Sequence, residues 1–206
     1  MRFLSTGLGA CALGSGFGAA TSLSNGFDSQ VEPDSLARVA SLVLDAGWAW
    51  AALAVVAGWL AAAPARGALA GVLALLAATT VYYGTDSIIG DDPLAWYWPE
   101  LLRWWLASLV GGSALGTIGA FGRRPGVLGL LAGLTIPIGA TAQMIVSPPG
   151  PEGQLATPAE SWARLIVLAT AAVWAAAVIT RFGLGERRRR RDPKAPEPGD
   201  ALSFAE

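Results

Sequence analysis

Histidine is absent from this sequence of 206 residues, and cysteine occurs once, at Cys11. The chain therefore cannot form an internal disulfide framework, a CxxC redox pair, a Cys/His zinc site, a histidine-ligated haem or a Ser-His or Cys-His catalytic pair. Charge is scarce as well, because charged residues make up 14% of the chain, whereas soluble proteins average about 25%. Together with 53% hydrophobic residues, this composition is typical of an integral membrane protein.

Six stretches are apolar and long enough to cross a bilayer, which takes about 20 residues of helix. They predict an all-α fold, a polytopic membrane bundle of six transmembrane helices that forms one domain over residues 1–186. A polybasic and then Pro-rich tail at 187–206 is predicted to be disordered. The predicted spans are residues 3–24, 39–60, 68–89, 101–121, 127–146 and 159–184.

Loop and capping signals separate these spans. Pro64-Ala-Arg-Gly67 and Arg123-Arg-Pro-Gly126 predict tight turns, and Gly90-Asp-Asp-Pro93 predicts a loop. Thr157-Pro-Ala-Glu160 matches a capping box, with Thr at the N-cap, Pro at the first helical position and Glu at the third. The sixth span is therefore predicted to begin at this box.

The first span is the weakest because it is rich in Gly and Ser, and three interpretations of it remain open. It could be a cleaved signal peptide, although only Arg2 precedes its apolar part. Leu8-Gly-Ala-Cys11 resembles a lipoprotein cleavage box, but the segment before it is short. A retained helix is the interpretation we adopt, and its small residues at Gly7, Gly14 and Gly18 would allow a close approach to a neighbouring helix.

The distribution of charge predicts the orientation. With a cytoplasmic N-terminus, the inner side would hold 11 basic and five acidic residues, and the outer side three basic and ten acidic residues. This agrees with the positive-inside rule, so both termini are predicted in the cytoplasm of a bacterial inner membrane. The five arginines at 187–191 could bind anionic lipid or nucleic acid, but a stop-transfer anchor explains them, and we predict no nucleic-acid partner.

An acidic residue inside a predicted span is a functional candidate, since burying a carboxylate in a membrane is costly. Asp45 is such a residue, about 9 Å below the outer surface if the span is a continuous helix. Arg103, Arg164 and Gln143 lie at similar predicted depth and are candidate partners. Tyr82 and Asp86 are one helical turn apart and share a face. The alternative to a ligand site is an internal polar cluster that holds the bundle together.

Aromatic residues crowd the same outer end, where seven of the nine Trp are predicted. An interfacial belt explains part of this bias, but such belts normally occur at both interfaces. Trp and Tyr beside carboxylates would suit an organic cation. The segment 91–100, with Trp96 and Trp98, is then predicted to be a lid over an outward-facing pocket.

Small-residue motifs recur in two other spans, at Gly112-x-x-x-Gly116 and Gly129-x-x-x-Gly133. Their ordinary role is tight helix packing, and dimerisation is the alternative.

The second-span sequence SLARVASLVLDAGWAWAALAVVAGWLAA and the step Tyr82-Tyr83-Gly84 resemble an uncharacterised family of actinobacterial six-helix membrane proteins. This resemblance would cover nearly the whole chain, but it implies no activity. In size and span number the chain is also similar to the substrate-capture subunits of energy-coupling-factor transporters. That similarity implies a vitamin site near the outer face and a small-residue first helix that docks a partner, and it is an analogy of architecture only.

Three functions from different classes follow. The first is outward-facing binding or transport of a small molecule, with a site formed by Asp45, Tyr82, Asp86, Trp96, Trp98, Arg103 and Gln143. The second is an accessory subunit that packs against a larger membrane protein through the Gly-rich first and fourth helices. An intramembrane enzyme is the least favoured, because general acid–base chemistry here would depend on carboxylates, Arg and Tyr alone. We therefore predict a protein that is not an enzyme, requires no cofactor or metal, and has the lipid bilayer as its constant partner.

Overall fold

The computed structural model describes residues 2–28, 35–149 and 156–191, and all regular secondary structure within them is helical. Seven α-helices and one short 3₁₀ helix follow one another along these ranges. The tail predicted to be disordered was placed at 187–206, but residues 187–191 are the helical end of α7, because the preceding helix continues into the arginine run. The rest of the predicted tail, from 192 onwards, lies outside the described residues. The helices are α1 (Arg2–Asp28), α2 (Leu36–Leu44), α3 (Gly47–Ala61), α4 (Pro64–Gly90), the 3₁₀ helix Leu94–Tyr97, α5 (Trp98–Phe121), α6 (Val127–Val146) and α7 (Pro158–Arg191).

Several of these helices can cross a membrane. Among the described residues, four helical segments are long and apolar enough: Pro64–Gly90, Leu94–Phe121, Val127–Val146 and Pro158–Gly185. A fifth is obtained if α2 and α3 together count as one bent span. With 27 residues α1 is long enough, at about 40 Å. Its Gly- and Ser-rich sequence nevertheless keeps it out of this apolar set.

The predicted second span, 39–60, is not one continuous helix, and this prediction was wrong. The axes of α2 and α3 differ by 61°. Asp45 closes α2 as its C-cap, and Ala46 has an extended backbone (φ −66°, ψ 137°) before α3 begins at Gly47. The helix is therefore interrupted at the acidic residue that was predicted to lie within it.

Two prolines begin helices earlier than predicted. Pro64 is at the start of α4, so the preceding turn is only Ala62-Ala63, with Ala62 in the left-handed region (φ 63°). Pro99 stands in the first turn of α5, which begins at Trp98 and not at residue 101. The physical reason is the same for both, because the fixed φ and missing N–H of proline suit the first turn of a helix.

The first helix packs closely against α4 along a line of small residues. A methyl group on Gly14 or Gly18 would overlap the backbone carbonyl of Ala74 or Ala78, respectively. Both alanines are fully buried. The predicted close approach is therefore confirmed at Gly14 and Gly18, whereas Gly7 has only the Leu73 side chain nearby, 3.6 Å from where its Cβ would lie.

A second line of small residues joins α5 to α3 and α4. Methyl groups on Gly112 and Gly116 would overlap the backbone of α4 around Gly67 and Gly71, and one on Gly58 of α3 would overlap Gly116. The Gly112-x-x-x-Gly116 motif therefore serves packing inside the chain. A partner protein would have to contact other residues of α5.

Helices α6 and α7 form a pair, and the end of α6 and the beginning of α7 pack on the other helices near the break between α2 and α3. Ala140 and Met144 of α6 pack against Val167 and Ala171 of α7. The beginning of α7 also packs on α2 through Val39. The Thr157–Glu160 capping box is confirmed: the Thr157 N–H donates to Glu160 Oε2 (2.8 Å), and the Glu160 N–H donates to Thr157 Oγ1 (3.3 Å).

Candidate functional site

A polar cluster links α1, α2 and α4 beside the helix break, at the end of the bundle that is predicted to face outward. We call Ser22, Asn25, Ser41, Asp45, Tyr82 and Asp86 the outer cluster. Four of its six members come in two turn-spaced pairs: Ser22 and Asn25 are three residues apart on α1, and Tyr82 and Asp86 are four apart on α4. This spacing puts each pair on one face of its helix, and the close packing of α1 on α4 brings the two pairs together.

Hydrogen bonds connect the cluster. Ser41 Oγ donates to Asn25 Oδ1 (2.6 Å), and Asn25 Nδ2 donates to the Tyr82 hydroxyl (3.1 Å). Ser22 Oγ donates to Asp86 Oδ1 (2.5 Å), and the Ser22 side chain is completely buried. These bonds fix the facing surfaces of three helices.

Asp45 stands at the edge of this network. It follows Ser41 by four residues, so it lies about one helical turn from the Ser41–Asn25 hydrogen bond. The residue is exposed, which corrects the prediction of a carboxylate within a helical span. The helix break is the reason, because it takes Asp45 out of the helix and leaves it at the mouth of the cluster.

The predicted cationic partners do not reach Asp45. Arg103 forms an ion pair with Glu100, one turn away on the same helix, and both side chains are exposed. Arg164 is exposed on α7 and forms no ion pair with a described residue. The hydrogen bonds that connect the outer cluster come from the neutral side chains of Ser22, Asn25 and Ser41.

A chain of aromatic rings borders the cluster. Phe17 packs edge-on against Trp50 (centroids 5.3 Å apart), Trp50 against Tyr82 (5.9 Å) and Tyr82 against Tyr83 (5.1 Å). Tyr83 in turn contacts Tyr97 of the 3₁₀ helix at 5.6 Å. Such edge-to-face pairs are favourable geometries for aromatic rings, so the chain is a rigid wall beside Asp86.

The predicted lid is not present as such. Trp96 is 71% exposed and Trp98 is 50% exposed, and Trp98 packs on Trp105 of its own helix instead of on the cluster. Of this segment, Tyr97 is the residue that reaches the aromatic wall. Two features of the sequence cause the difference: Pro93 precedes the 3₁₀ helix, and Pro99 starts α5, so segment 91–100 is mostly helical.

Gln143 has a structural role on the far side of the helix break. Its Oε1 accepts a hydrogen bond from the Trp48 backbone N–H (2.8 Å), in the first turn of α3. Backbone N–H groups at a helix start lack partners within the helix, so this side chain from α6 satisfies one of them. Of the seven predicted site residues, the structure brings together Asp45, Tyr82 and Asp86, and it leaves Trp96, Trp98, Arg103 and Gln143 outside the cluster.

Three members of the outer cluster were not predicted from the sequence, namely Ser22, Asn25 and Ser41, and the bordering Trp50 was not predicted as a site residue. The available signal was the polar pair Ser22 and Asn25, spaced by three residues near the end of an otherwise apolar helix. Serine is common throughout α1, however, so the spacing alone did not distinguish Ser22 from Ser24. The third contributor, Ser41, gave no pattern of its own.

The chemistry of the cluster is that of a weakly shielded pair of carboxylates beside aromatic rings. Within the described ranges, no group of three or more Asp, Glu, Cys or His residues is arranged to hold a metal ion. Comparison with protein-family models, curated proteins and solved structures gives no match to this chain.

Proposed function

We propose that the chain is a six-span protein of a bacterial inner membrane with both termini in the cytoplasm. The four apolar helices and the bent α2–α3 pair supply five of these spans, and α1 supplies the sixth. Support for α1 comes from its packing, since Gly14 and Gly18 join it to the apolar helix α4 at two successive turns. A helix that is only modestly apolar can thus be held in the bilayer by a close-packed neighbour.

We further propose that the outer cluster binds a small organic cation from outside the cell, as the first step of capture or transport. The observation that carries this proposal is that Asp45 and Asp86 belong to one cluster at one end of the bundle, whose hydrogen bonds come from the neutral side chains of Ser22, Asn25 and Ser41. A bound cation would offset this concentration of negative charge. It would also contribute favourable charge pairing in an environment less polar than bulk water.

The aromatic wall favours an organic cation over a metal ion. Tyr82 belongs to the outer cluster, and the rings of Trp50 and Tyr83 pack against it, so π faces are available beside the cluster. Aromatic rings attract quaternary ammonium groups within about 6 Å of the ring centroid. A binding role without catalysis follows from the same groups, because the cluster offers charge and shape but no activated nucleophile.

The test is a calorimetric titration of the purified full-length protein with choline and tetraethylammonium. The neutral isostere 3,3-dimethylbutan-1-ol, which has the shape of choline without its charge, serves as the ligand control. Asp45→Asn and Asp86→Asn remove the two charges singly. Asp91→Asn is the matched protein control, since Asp91 caps the same helix in the left-handed region, which Asn also tolerates (φ 54°).

We expect the wild type and Asp91→Asn to bind at least one of the cations and not the neutral isostere. Each cluster variant should weaken binding by about tenfold or more, as for the loss of one partly desolvated charge pair. Equal binding of the neutral isostere would contradict a charge-based site. Undiminished binding by both Asp variants would remove the outer cluster from the site.

A further inference from the structure

At the opposite end of the bundle, α6 and α7 separate. The buried residues of α7 all lie in its first half, and from residue 172 to 187 none of the described side chains is buried. A cavity of about 750 Å³ opens between the last turns of α7, the first half of α6 and the α5–α6 turn. This volume is within the range of about 300–1,000 Å³ that is usual for ligand sites.

Glycine shapes the α6 wall of this cavity. Gly126 has a positive φ (89°), which turns the chain sharply into α6 and would strain other residues. A Cβ on Gly133 would lie only 2.9 Å from the Val178 side chain, so α6 and α7 touch at this point of the cavity wall. Glycine therefore allows the sharp turn at 126 and the close helix contact at 133 that border the cavity.

The cavity has apolar walls and a basic mouth. Leu130, Val178 and Leu184 are among its apolar lining residues, and Arg123 and Arg181 are its two charged lining residues. Arg123 is held by stacking on Trp59, with its guanidinium carbon 4.3 Å from the ring centroid.

We propose that this cavity binds one anionic phospholipid, with its acyl chain along the α6–α7 walls and its phosphate on Arg123 and Arg181. Guanidinium groups form paired hydrogen bonds with phosphate oxygens. The Arg123 guanidinium is already restrained by its contact with Trp59. Basic pockets between membrane helices on the cytoplasmic side are a known arrangement for anionic headgroups. The combination of a charged mouth and apolar walls fits a lipid better than a soluble anion.

The same end of α7 attracts anionic lipid over a longer range. The arginine run at 187–191 forms the final turns of α7, directly after the cavity. Under the proposed orientation this places a strongly basic segment at the anionic surface of the cytoplasmic leaflet. The run would raise the local concentration of anionic lipid, and Arg123 and Arg181 would select one molecule from it.

The experiment is native mass spectrometry of delipidated full-length protein titrated with phosphatidylglycerol or phosphatidylcholine of the same acyl chains. Variants are Arg123→Gln with Arg181→Gln, and Arg124→Gln as a charge control. Arg124 is adjacent in sequence but stacks on Phe121 and does not line the cavity. We expect the wild type and Arg124→Gln to prefer phosphatidylglycerol by about tenfold or more, and the double variant to lose most of this preference.

A second pair of variants tests the apolar walls without changing any charge. Ala177→Trp fills the cavity from an exposed position on α7, and Ala172→Trp places the same side chain on an exposed position outside it. We expect only Ala177→Trp to reduce lipid retention. The proposal would be overturned if Arg124→Gln lost as much of the preference for phosphatidylglycerol as the double variant does. It would also be overturned if Ala177→Trp retained as much lipid as the wild type. If inorganic phosphate displaced bound phosphatidylglycerol as effectively as added phosphatidylglycerol does, the site would be one for a soluble anion and the proposal would be overturned.

Discussion

Ser22 of α1 and Asp86 of α4 are 64 residues apart in sequence and joined by a hydrogen bond of 2.5 Å, with the serine fully buried. This bond does two things at once. It fixes the rotation of α1 against α4, and it holds one carboxylate of the outer cluster in place. The stability of the bundle and the geometry of the candidate site therefore depend on the same contact.

Ser22→Ala is expected to destabilise the protein by roughly 1.5–3 kcal/mol, because it leaves a partly buried carboxylate without its donor. Thermal unfolding in detergent measures the effect. Ser24→Ala is the control on the same helix, since the Ser24 hydroxyl bonds to none of the described residues, and it should change stability little. Equal destabilisation by the two variants would show that the Ser22–Asp86 bond contributes nothing specific.

Gly18→Ala and Gly16→Ala are expected to have opposite effects. The methyl group at position 18 would overlap the Ala78 carbonyl, so overpacking should cost about 1–3 kcal/mol or more. Position 16 faces open space, so alanine there should stabilise the helix by up to about 1 kcal/mol. Thermal unfolding of the two variants side by side checks this, and a stabilised Gly18→Ala would be inconsistent with the α1–α4 packing.

Gln143→Leu should destabilise the start of α3 by about 0.5–2 kcal/mol, the usual cost of losing a side-chain cap. Hydrogen exchange should increase first at the backbone amides of Trp48 and its neighbours, since Gln143 accepts the Trp48 N–H. Thr141→Val is the control, because Thr141 lies on the same helix and valine has nearly the same shape as threonine. Unchanged exchange at Trp48 in the leucine variant would contradict the capping role.

Glu160 allows the capping box to be tested by a conservative change. Glu160→Gln keeps an acceptor for the Thr157 N–H and should have a small effect, whereas Glu160→Ala should cost about 0.5–2 kcal/mol. Thermal unfolding of both variants provides the measurement. If glutamine and alanine were equally harmful, the charge of Glu160 would matter more than its hydrogen bond.

Orientation is testable with single cysteines in a Cys11→Ser background. Asp91→Cys should react with a membrane-impermeant maleimide in intact cells, and Ser203→Cys only after lysis. Ser5→Cys should also react only after lysis if α1 spans the membrane. Labelling of Ser5→Cys in intact cells would mean an odd number of spans and would remove α1 from the bilayer.

How far the sequence allowed prediction can be seen at two sites. Local signals were sufficient where the physics is local: the Thr157–Glu160 box and the Gly14–Gly18 contact face are both present in the structure. Asp45 shows the limit. Its apolar flanks predict an uninterrupted helix. At the break, the Trp48 N–H is bonded by Gln143, from a helix almost a hundred residues later, and no window of sequence around Asp45 contains this partner.

Part of the outer cluster could likewise be predicted from the sequence, and part could not. Tyr82 and Asp86 were predicted to share a face because helical spacing requires it. Their partners on α1 and α2 could not be predicted, since they depend on which helices pack together and in what rotation. The aromatic residues show the same limit: Trp96 and Trp98 are exposed in the manner of an interfacial belt, whereas Trp50 faces the cluster, and composition does not distinguish them.

The packing of α1 on α4 also implies an order of assembly during synthesis. Helix α1 leaves the ribosome first, although it is not among the helices that are apolar enough to span a membrane by themselves. The surface that accommodates it, around Ala74 and Ala78, is translated about sixty residues later. If α1 spans the membrane as proposed, its stable insertion is expected only after α4 has been made, so the second and third helices precede the first in reaching a stable position.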